Sequence, residues 1–245
     1  MRNIKLIIEY DGKKFGGWQK QPNKSNIQGE IENAIFELTG EKVELYASGR
    51  TDAGVHALGQ VANFKTHNTT IPIEKFAIAI NSKLKKSIVI KNAEEVDEKF
   101  HSRYNCKQKT YRYIIDNSEQ GTAIYRDLQY HMPIKLDVEK MKNAAKYFEG
   151  EHDFTAFKAS GTSSKSSVRT IFSVNIKQEN EKITMEFTGN GFLYNMVRII
   201  SGTLVDVGLR KIEPEEISKI IEDKDRTKAG KTLPAHGLYL VEVRY

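Results

Sequence analysis

The octapeptide GRTDAGVH, at residues 49–56, brings together side chains that could do chemistry. Asp52 is a carboxylate two residues from the guanidinium of Arg50, and a glycine lies on each side of the pair. In one interpretation the stretch is a turn, in which Asp52 caps the backbone and Arg50 is a solvated charge. In the other, Asp52 is an activated carboxylate, kept ionised by an arginine, that acts as nucleophile or base. The spacing cannot choose between the two.

Other kinds of reactive centre lack their sequence signatures. The histidines show no HxH or HExxH spacing, and Cys106 is the single cysteine, which excludes a structural zinc and an internal disulfide. No dinucleotide fingerprint, P-loop or GxSxG elbow is present. The sequence therefore supports neither a zinc site nor binding of a dinucleotide or of a nucleotide at a P-loop.

The charge balance and its distribution favour a polyanionic partner. The 38 Lys and Arg residues outnumber the 32 Asp and Glu residues, which gives a net charge of +6. Residues 101–113, HSRYNCKQKTYRY, combine cations and tyrosines with no acidic residue, a mixture suited to phosphates and stacked bases. The sequence shows no signal peptide and no transmembrane run, and a single cysteine fits a reducing compartment. We expect a cytoplasmic protein with no membrane contact.

The octapeptide must be positioned by the elements around it. Alternating apolar residues predict a first strand over 4–10 and strands near 43–48 and 60–66, with the octapeptide as their connection. Helical spacing follows residue 25, where Ser25 and Gln28 form a capping-box pattern and Gly40 supplies the stop. A second helix fits residues 73–85, and a strand follows it.

The second half repeats this alternation of strands and helices. A strand is predicted at 109–116, a helix with Asp137 as its N-cap, and a helix over about 192–207. A hairpin is predicted in which Phe172, Val174 and Ile176 face apolar residues of the returning strand. The predicted fold class is α+β, with two similar subdomains, 1–104 and 105–245, joined through a large, mostly antiparallel sheet flanked by helices.

Seven segments then carry a resemblance to a known family. They are YDGKKFGGWQKQ (10–21), ASGRTDAGVHALGQVANF (47–64), FHSRYNCKQKTYRYII (100–115), EGEHDFTAF (149–157), VRTI (168–171), GNGFLYNMVRIISGTLVDVG (189–208) and AGKTLPAHGLYLVEVRY (229–245). In this order they resemble the tRNA pseudouridine synthases of the TruA family, nearly from end to end. The central motif residues show no departure from the family.

The resemblance implies a pseudouridine synthase fold with its active site in a cleft between the subdomains. It implies an isomerase that converts uridine to pseudouridine at tRNA positions 38, 39 and 40, with no metal or cofactor, as a homodimer. Residue by residue, Asp52 corresponds to the essential aspartate and Arg198 to the basic residue paired with it. Tyr111 corresponds to the tyrosine that packs against the target base. Arg50 corresponds to the arginine that helps to displace that base.

Basic and polar residues of the same motifs are candidates for contact with the RNA. For His56 and Trp18, structural support of the site is an equal alternative, and for any single cation a solvated position is the alternative. Tyr113, which shares a strand face with Tyr111, is expected to be a core aromatic. The complete set of RNA-contact candidates is Trp18, Gln19, His56, Arg103, Lys107, Lys109, Arg112, Lys158, Lys165 and Arg169.

Two other functions fit parts of the pattern. A non-catalytic RNA-binding protein on the same fold would share the basic aromatic segment, although it would not need Asp52, Tyr111 and Arg198 together. A nucleoside glycosidase would use Asp52 as its nucleophile and release free uracil. The basic features of the chain favour a macromolecular substrate over a nucleoside.

Overall fold

The chain divides into two compact units in the computed structural model, which describes residues 1–22, 24–161 and 166–245. One unit consists of residues 1–107 and 239–245, and the other of residues 108–238. The division into subdomains 1–104 and 105–245 with a cleft between them stays a prediction.

The first unit is a sheet of long strands with two helices. The strand order is β4-β1-β3-β10, with β2 beside β3, and only the β3–β10 pair is parallel among these described strands. The bounds are β1 (Arg2–Tyr10), β2 (Tyr46–Ala47), β3 (His56–Thr66), β4 (Ile88–Val96), β10 (Leu238–Arg244), α1 (Ile27–Thr39) and α2 (Ile73–Asn81).

Alternation and helical spacing account for these elements. In β1 the side chains of Ile4, Leu6 and Ile8 are completely buried, as the period of two requires. Helix α1 begins one residue later than the capping-box pattern indicates, because Asn26 is the N-cap and accepts from the Gly29 amide at 2.9 Å. The predicted stop is confirmed, since the C-cap Gly40 has a φ of 71°. Helix α2 ends at Asn81, four residues short of the predicted 85.

The second unit is an antiparallel sheet with three helices. Its strand order is β5-β9-β8-β7, and the two-residue β6 runs parallel to β5. The bounds are β5 (Gln108–Asp116), β6 (Tyr130–His131), β7 (Gly150–Asp153), β8 (Val168–Glu179), β9 (Lys182–Gly189), α3 (Val138–Ala145), α4 (Met196–Gly208) and α5 (Glu216–Asp223).

Two details of the second unit differ from the sequence-based expectation. The register of β8 on β9 shifts between Ile171 and Ser173, which is a β-bulge. Phe172 is therefore turned outward and is 50% exposed, while Val174 and Ile176 face the core as predicted. Helix α4 starts at Met196 and not near 192, because Asn195 has a φ of 59° and interrupts the helical backbone.

The predicted fold class, α+β with a mostly antiparallel sheet and flanking helices, is confirmed. No helix in the described part of the chain is long and apolar enough to cross a membrane.

Candidate active site

The octapeptide forms a tight turn between β2 and β3. The Val55 amide donates to the Asp52 carbonyl at 3.1 Å, and Gly54 has a φ of 81°. A bond from residue i+3 to residue i with positive φ at i+2 is the pattern of a type II turn, which requires glycine there. The Asp52 side chain is half-buried and that of Arg50 is exposed. The turn thus uses the backbone of Asp52 to fix where its carboxylate lies.

A buried network of hydrogen-bonded polar side chains supports this turn. The Tyr10 hydroxyl hydrogen-bonds to the Thr51 hydroxyl at 2.7 Å. Gln60 donates to the Gly49 carbonyl and accepts from the Ser48 hydroxyl, both at 2.8 Å. These side chains are all at least 94% buried, so each bond forms in a medium where an unmade one is costly. Burial raises the pKa of Tyr10 far above its ordinary value, so the hydroxyl keeps its proton.

The segment that follows β1 packs directly against the turn. A Cβ on Gly12 would lie 2.0 Å from the Val55 carbonyl oxygen, and one on Gly17 would lie 2.7 Å from that of Thr51. The Trp18 amide donates to the Thr51 carbonyl at 3.0 Å, and its ring is 1% exposed. The two glycines are therefore required by the closeness of two backbones, and Trp18 supports the site from the inside.

His56, at the start of β3, is also built into the interior. Its ring is 2% exposed and stacks on Tyr239 at 4.9 Å between centroids. Its Nδ1 lies 3.2 Å from the Gly12 amide nitrogen and 3.1 Å from a carboxylate oxygen of Asp11. A neutral ring would accept from Gly12, whereas a protonated ring would pair with Asp11. Either contact makes His56 a support of the loop rather than an exposed RNA contact.

In the second unit, the first turn of α4 positions Arg198. Its Nε donates to the Leu233 carbonyl and its Nη1 to the Asn195 side-chain oxygen, both at 2.7 Å. Because these bonds use two sides of a planar group, they fix the orientation of the guanidinium. Asn195 makes no capping bond to the helix with its side chain. Its amide orients Arg198 instead.

The segment 229–237 supplies the carbonyl that Arg198 uses. It passes so close to α4 that a Cβ on Gly202 would lie 1.9 Å from the Lys231 carbonyl oxygen. Tyr113, on β5, is fully buried and donates its hydroxyl to the Pro234 carbonyl at 2.8 Å. The expectation of a core aromatic at Tyr113 is thus met. Burial raises the pKa of Tyr113, and the nearby charge of Arg198 opposes that rise.

Tyr111 lies two residues earlier on β5 and is half-buried. Its ring meets that of Phe192 edge-on, with centroids 5.3 Å apart and an interplanar angle of 82°. This edge-to-face contact restricts the ring without burying it completely. A ring held in this way can stack on a planar ligand.

The two units therefore offer a positioned carboxylate in one and a positioned guanidinium and aromatic ring in the other. In the described residues no group of three or more histidines, cysteines or acidic residues could hold a metal ion. Acid, base and nucleophilic chemistry are what these side chains can provide.

Comparison with known proteins identifies the family to which the chain belongs. The family model described as tRNA pseudouridine synthase matches residues 6–105 and 144–245. The chain belongs to the tRNA pseudouridine synthase family. Relatives named tRNA pseudouridine synthase A, from Acetivibrio thermocellus and from Caldicellulosiruptor saccharolyticus, are each 56% identical over the whole of both chains. A Clostridium perfringens relative named tRNA pseudouridine synthase A 2 is 53% identical, again over the whole of both.

Membership of the tRNA pseudouridine synthase family confirms the family predicted from the motifs, and the protein is an enzyme. The similarity extends from the first residue to the last, so it includes the octapeptide and the α4 motif together. The roles of single residues stay predictions, and the geometry shows where each of them lies.

The RNA-contact candidates of this tRNA pseudouridine synthase fall into three groups. Arg103 and Lys107 are exposed, and Gln19 and Lys109 are half-exposed. Arg112, Lys158 and Arg169 have partners in their own unit: Glu186 at 2.6 Å, the Ser167 hydroxyl at 2.7 Å and the Val168 carbonyl at 2.6 Å. Trp18 and His56 are interior supports, and Lys165 lies outside the described residues.

Several residues that position the site were not singled out in the sequence. They are Tyr10, Ser48, Thr51 and Gln60 under the turn, and Asn195, Gly202 and Leu233 around Arg198. The sequence signal that could have identified them is a polar residue at an inward-facing position of a strand, such as Gln60 in β3. Their hydrogen-bond partners are distant in sequence: Leu233 is 35 residues from Arg198, and Thr51 is 41 residues from Tyr10. No local pattern indicates contacts of that length.

Proposed function

We propose that this protein isomerises uridine to pseudouridine at positions 38, 39 and 40 of tRNA, with Asp52 as the catalytic carboxylate. The observation that carries the proposal is the construction of the octapeptide. A half-buried aspartate stands on a turn whose backbone is fixed by Gly54, Thr51 and Gln60, in a chain of the tRNA pseudouridine synthase family. A turn that served only to connect two strands would need no such support.

The chemistry needs a carboxylate but no redox partner. The N1–C1′ bond breaks, the uracil rotates, a C5–C1′ bond forms, the proton on C5 leaves and N1 takes up a proton. Three routes would use Asp52: attack on C1′, attack on C6, or removal of the C2′ proton. Each route uses the same ionised carboxylate, and the isomerisation leaves the oxidation state unchanged, so no metal or cofactor is called for.

Arg198 is the cation that we assign to the ionised state of Asp52. A carboxylate enclosed with a base is desolvated, which favours its protonated form and would remove the nucleophile. A guanidinium whose orientation is already fixed by Leu233 and Asn195 opposes this with little further loss of entropy. Arg198 is therefore the pairing residue of the proposed mechanism, and Arg50 is not.

Tyr111 and Arg50 serve the target base in this proposal. The target must leave its stack, which costs a few kcal/mol, and be held by a planar surface once outside. The half-buried ring of Tyr111, restricted by Phe192, provides such a surface. We assign to Arg50, whose exposed guanidinium is two residues from Asp52, the position that the base leaves.

Contact with the tRNA backbone is assigned to the cations, which add affinity and salt dependence rather than sequence specificity. We assign it to Arg103 and Lys107 in preference to Arg112, whose guanidinium is already bound to Glu186. Gln19, Lys109, Lys158, Lys165 and Arg169 complete the proposed set. The proposal places the enzyme in the cytoplasm as a homodimer.

The decisive experiment compares Asp52→Asn with the wild type on tRNA that carries tritium at C5 of uridine. We expect release of tritium to fall by at least a thousandfold, because the reacting group is lost, while the dissociation constant for tRNA changes little. Asp137→Asn is a matched control that makes the same change of charge at a helix cap and should keep full activity.

Each alternative predicts its own result in that experiment. Tritium release by Asp52→Asn at the wild-type rate would remove Asp52 from the mechanism. A wild-type protein that binds tRNA and releases no tritium would be the non-catalytic RNA-binding protein. Free uracil in place of pseudouridine would identify a glycosidase.

A further inference from the structure

A row of aromatic rings reaches the surface of the first unit at residues 46, 101 and 104, which we call the ring ladder. The centroids of Tyr46 and His101 are 5.1 Å apart, and those of His101 and Tyr104 are 4.3 Å apart. The rings at the two ends are exposed, Tyr46 at 38% and Tyr104 at 76%, while the middle ring of His101 is half-buried. The outermost ring therefore presents most of its surface to solvent.

The backbone beneath the ring ladder is fixed by Ser102. This residue is completely buried, and its amide donates to the Asn63 side-chain oxygen at 2.9 Å. Its hydroxyl donates to the Tyr46 carbonyl, and its own carbonyl accepts from the Tyr245 hydroxyl at 2.9 Å. All of its polar groups are thus bonded to other parts of the unit, so the exposed rings stand on a rigid base.

The turn at residues 101–105, which carries His101 and Tyr104, is closed by hydrogen bonds between its own residues. The His101 amide donates to the Asn105 side-chain oxygen at 2.7 Å, and the Asn105 amide donates to the His101 carbonyl at 3.0 Å. The Arg103 amide donates to Nδ1 of His101 at 3.1 Å, which fixes the plane of the middle ring. At the other end, the Tyr46 hydroxyl donates to Glu44 at 2.6 Å. The ladder is preorganised before any partner arrives.

The charged side chains near Tyr104, at the outer end of the ladder, are positive. The guanidinium of Arg103 lies 5.9 Å from the centre of the Tyr104 ring, and Lys107 is exposed a few residues on. No acidic residue occurs between residues 101 and 113. A protein partner would be expected to meet neighbouring apolar side chains at such a point, whereas a flat ring beside cations matches a nucleobase joined to a phosphate.

We propose that the ring ladder is a stacking platform for an unpaired nucleobase of the tRNA, with Tyr104 as the contacting ring and Arg103 on the adjoining phosphate. This inference rests on the proposed function, because it takes the RNA substrate from it. It assigns a role to Tyr46, His101 and Tyr104, none of which takes part in the proposed reaction.

The test measures binding of fully modified tRNA to the otherwise unchanged protein. Tyr104→Ala should weaken binding by about 5- to 150-fold, the range for removing one aromatic partner of a stacked base. Tyr104→Phe keeps the ring and should bind as the wild type does. Tyr125→Ala removes another exposed tyrosine, at 57% exposure, and should leave the affinity unchanged. In turnover, Tyr104→Ala should raise KM for tRNA and preserve kcat.

The salt dependence of tRNA binding distinguishes a stacking contact from a charge interaction. Stacking releases no counterions, so the loss in Tyr104→Ala should be the same at low and high salt. Arg103→Gln should instead lower the slope of log Kd against log salt by about 0.7 to 0.9. If Tyr104 and Arg103 acted only in folding, the slope of log Kd against log salt would change in neither variant. Unchanged thermal unfolding of Tyr104→Ala would exclude a role in folding directly.

The possible outcomes are distinct from those of the proposed function. If the wild type releases tritium and Tyr104→Ala binds tRNA as tightly as the wild type, the proposal for the ring ladder is overturned and the proposed function is unaffected. Failure of the wild type to bind tRNA would remove both. A change of oligomeric state in Tyr104→Ala at unchanged tRNA affinity would show that the surface contacts protein, and would also overturn the proposal.

Discussion

Asp52 is both a turn residue and the candidate reactive carboxylate. Its carbonyl accepts from the Val55 amide and closes the turn, while its side chain is half-buried. The alternatives of turn and reactive centre, which the spacing of GRTDAGVH cannot separate, are therefore compatible in one residue. The turn chemistry is the means by which the carboxylate is held in place.

Asn195 is the residue whose change should affect the site most selectively. Its φ of 59° is easily adopted by glycine, so Asn195→Gly should fold and unfold as the wild type does. The variant loses the amide that holds Nη1 of Arg198, and we expect kcat to fall by about tenfold with KM for tRNA unchanged. Single-turnover kinetics on tRNA measures the effect.

Asn195→Asp provides the matched comparison. It keeps the bond to Arg198 but adds a carboxylate that, in the proposed mechanism, competes with Asp52 for the guanidinium. We expect a lower rate than in Asn195→Gly, and an apparent pKa of the rate profile displaced upward, because Asp52 then loses part of its cationic partner. Equal rates for all three proteins would show that the orientation of Arg198 does not limit turnover.

At the scale of elements, local rules predicted most of the fold. The burial of alternate residues in β1, the cap at Asp137 and the stop at Gly40 all follow from residue type and spacing. The failures occur where the backbone departs from regular geometry. The bulge in β8 exposes Phe172, and the positive φ of Asn195 delays α4. Neither is marked by a glycine or proline, so the apolar pattern alone was misleading.

The hydrogen bond between Tyr10 and Thr51 joins β1 to the turn that carries Asp52, and its energy can be measured. Thr51→Val keeps the shape but leaves a buried hydroxyl of Tyr10 short of a partner, which should cost about 1–3 kcal/mol of unfolding free energy. Urea unfolding of Tyr10→Phe, Thr51→Val and the double variant forms a double-mutant cycle. The double variant should be destabilised by less than the sum of the two single changes, and strict additivity would refute the coupling.

Helix α3 offers a test by pH. The Lys140 amide and then the guanidinium of Arg210 hold the pKa of Asp137 below its ordinary value. A lowered folded-state pKa stabilises the protein above the unfolded-state pKa of about 3.9, and the gain is lost as pH falls through the folded value. Asp137→Asn keeps the cap without the charge, so wild type should melt above the variant near pH 6–7. The two melting temperatures should converge once the pH falls below the folded-state pKa of Asp137, and a constant difference would contradict this account.

For the molecule as a whole, the sequence predicts the family, but it does not predict the contacts that build the site. The resemblance of seven segments was enough to identify the family, and the family model and full-length relatives confirm it. What holds Asp52 and Arg198 in position is spread over residues 10–60 and 195–233, and those contacts are made only once the chain has folded. Long-range contacts of this kind have no periodic signature, so they were not predicted.

The net charge of +6 leads to a prediction about tRNA affinity. If about four cations neutralise phosphates, log Kd should rise with log salt at a slope near 3, so that a change from 50 to 200 mM salt weakens binding about 60-fold. Lys107→Gln should lower that slope by about 0.7 to 0.9, because the exposed ammonium is free to meet a phosphate. Arg112→Gln should change it little, since Glu186 already binds its guanidinium at 2.6 Å. A larger decrease in slope for Arg112→Gln than for Lys107→Gln would mean that the RNA displaces Glu186 and follows the face of β5.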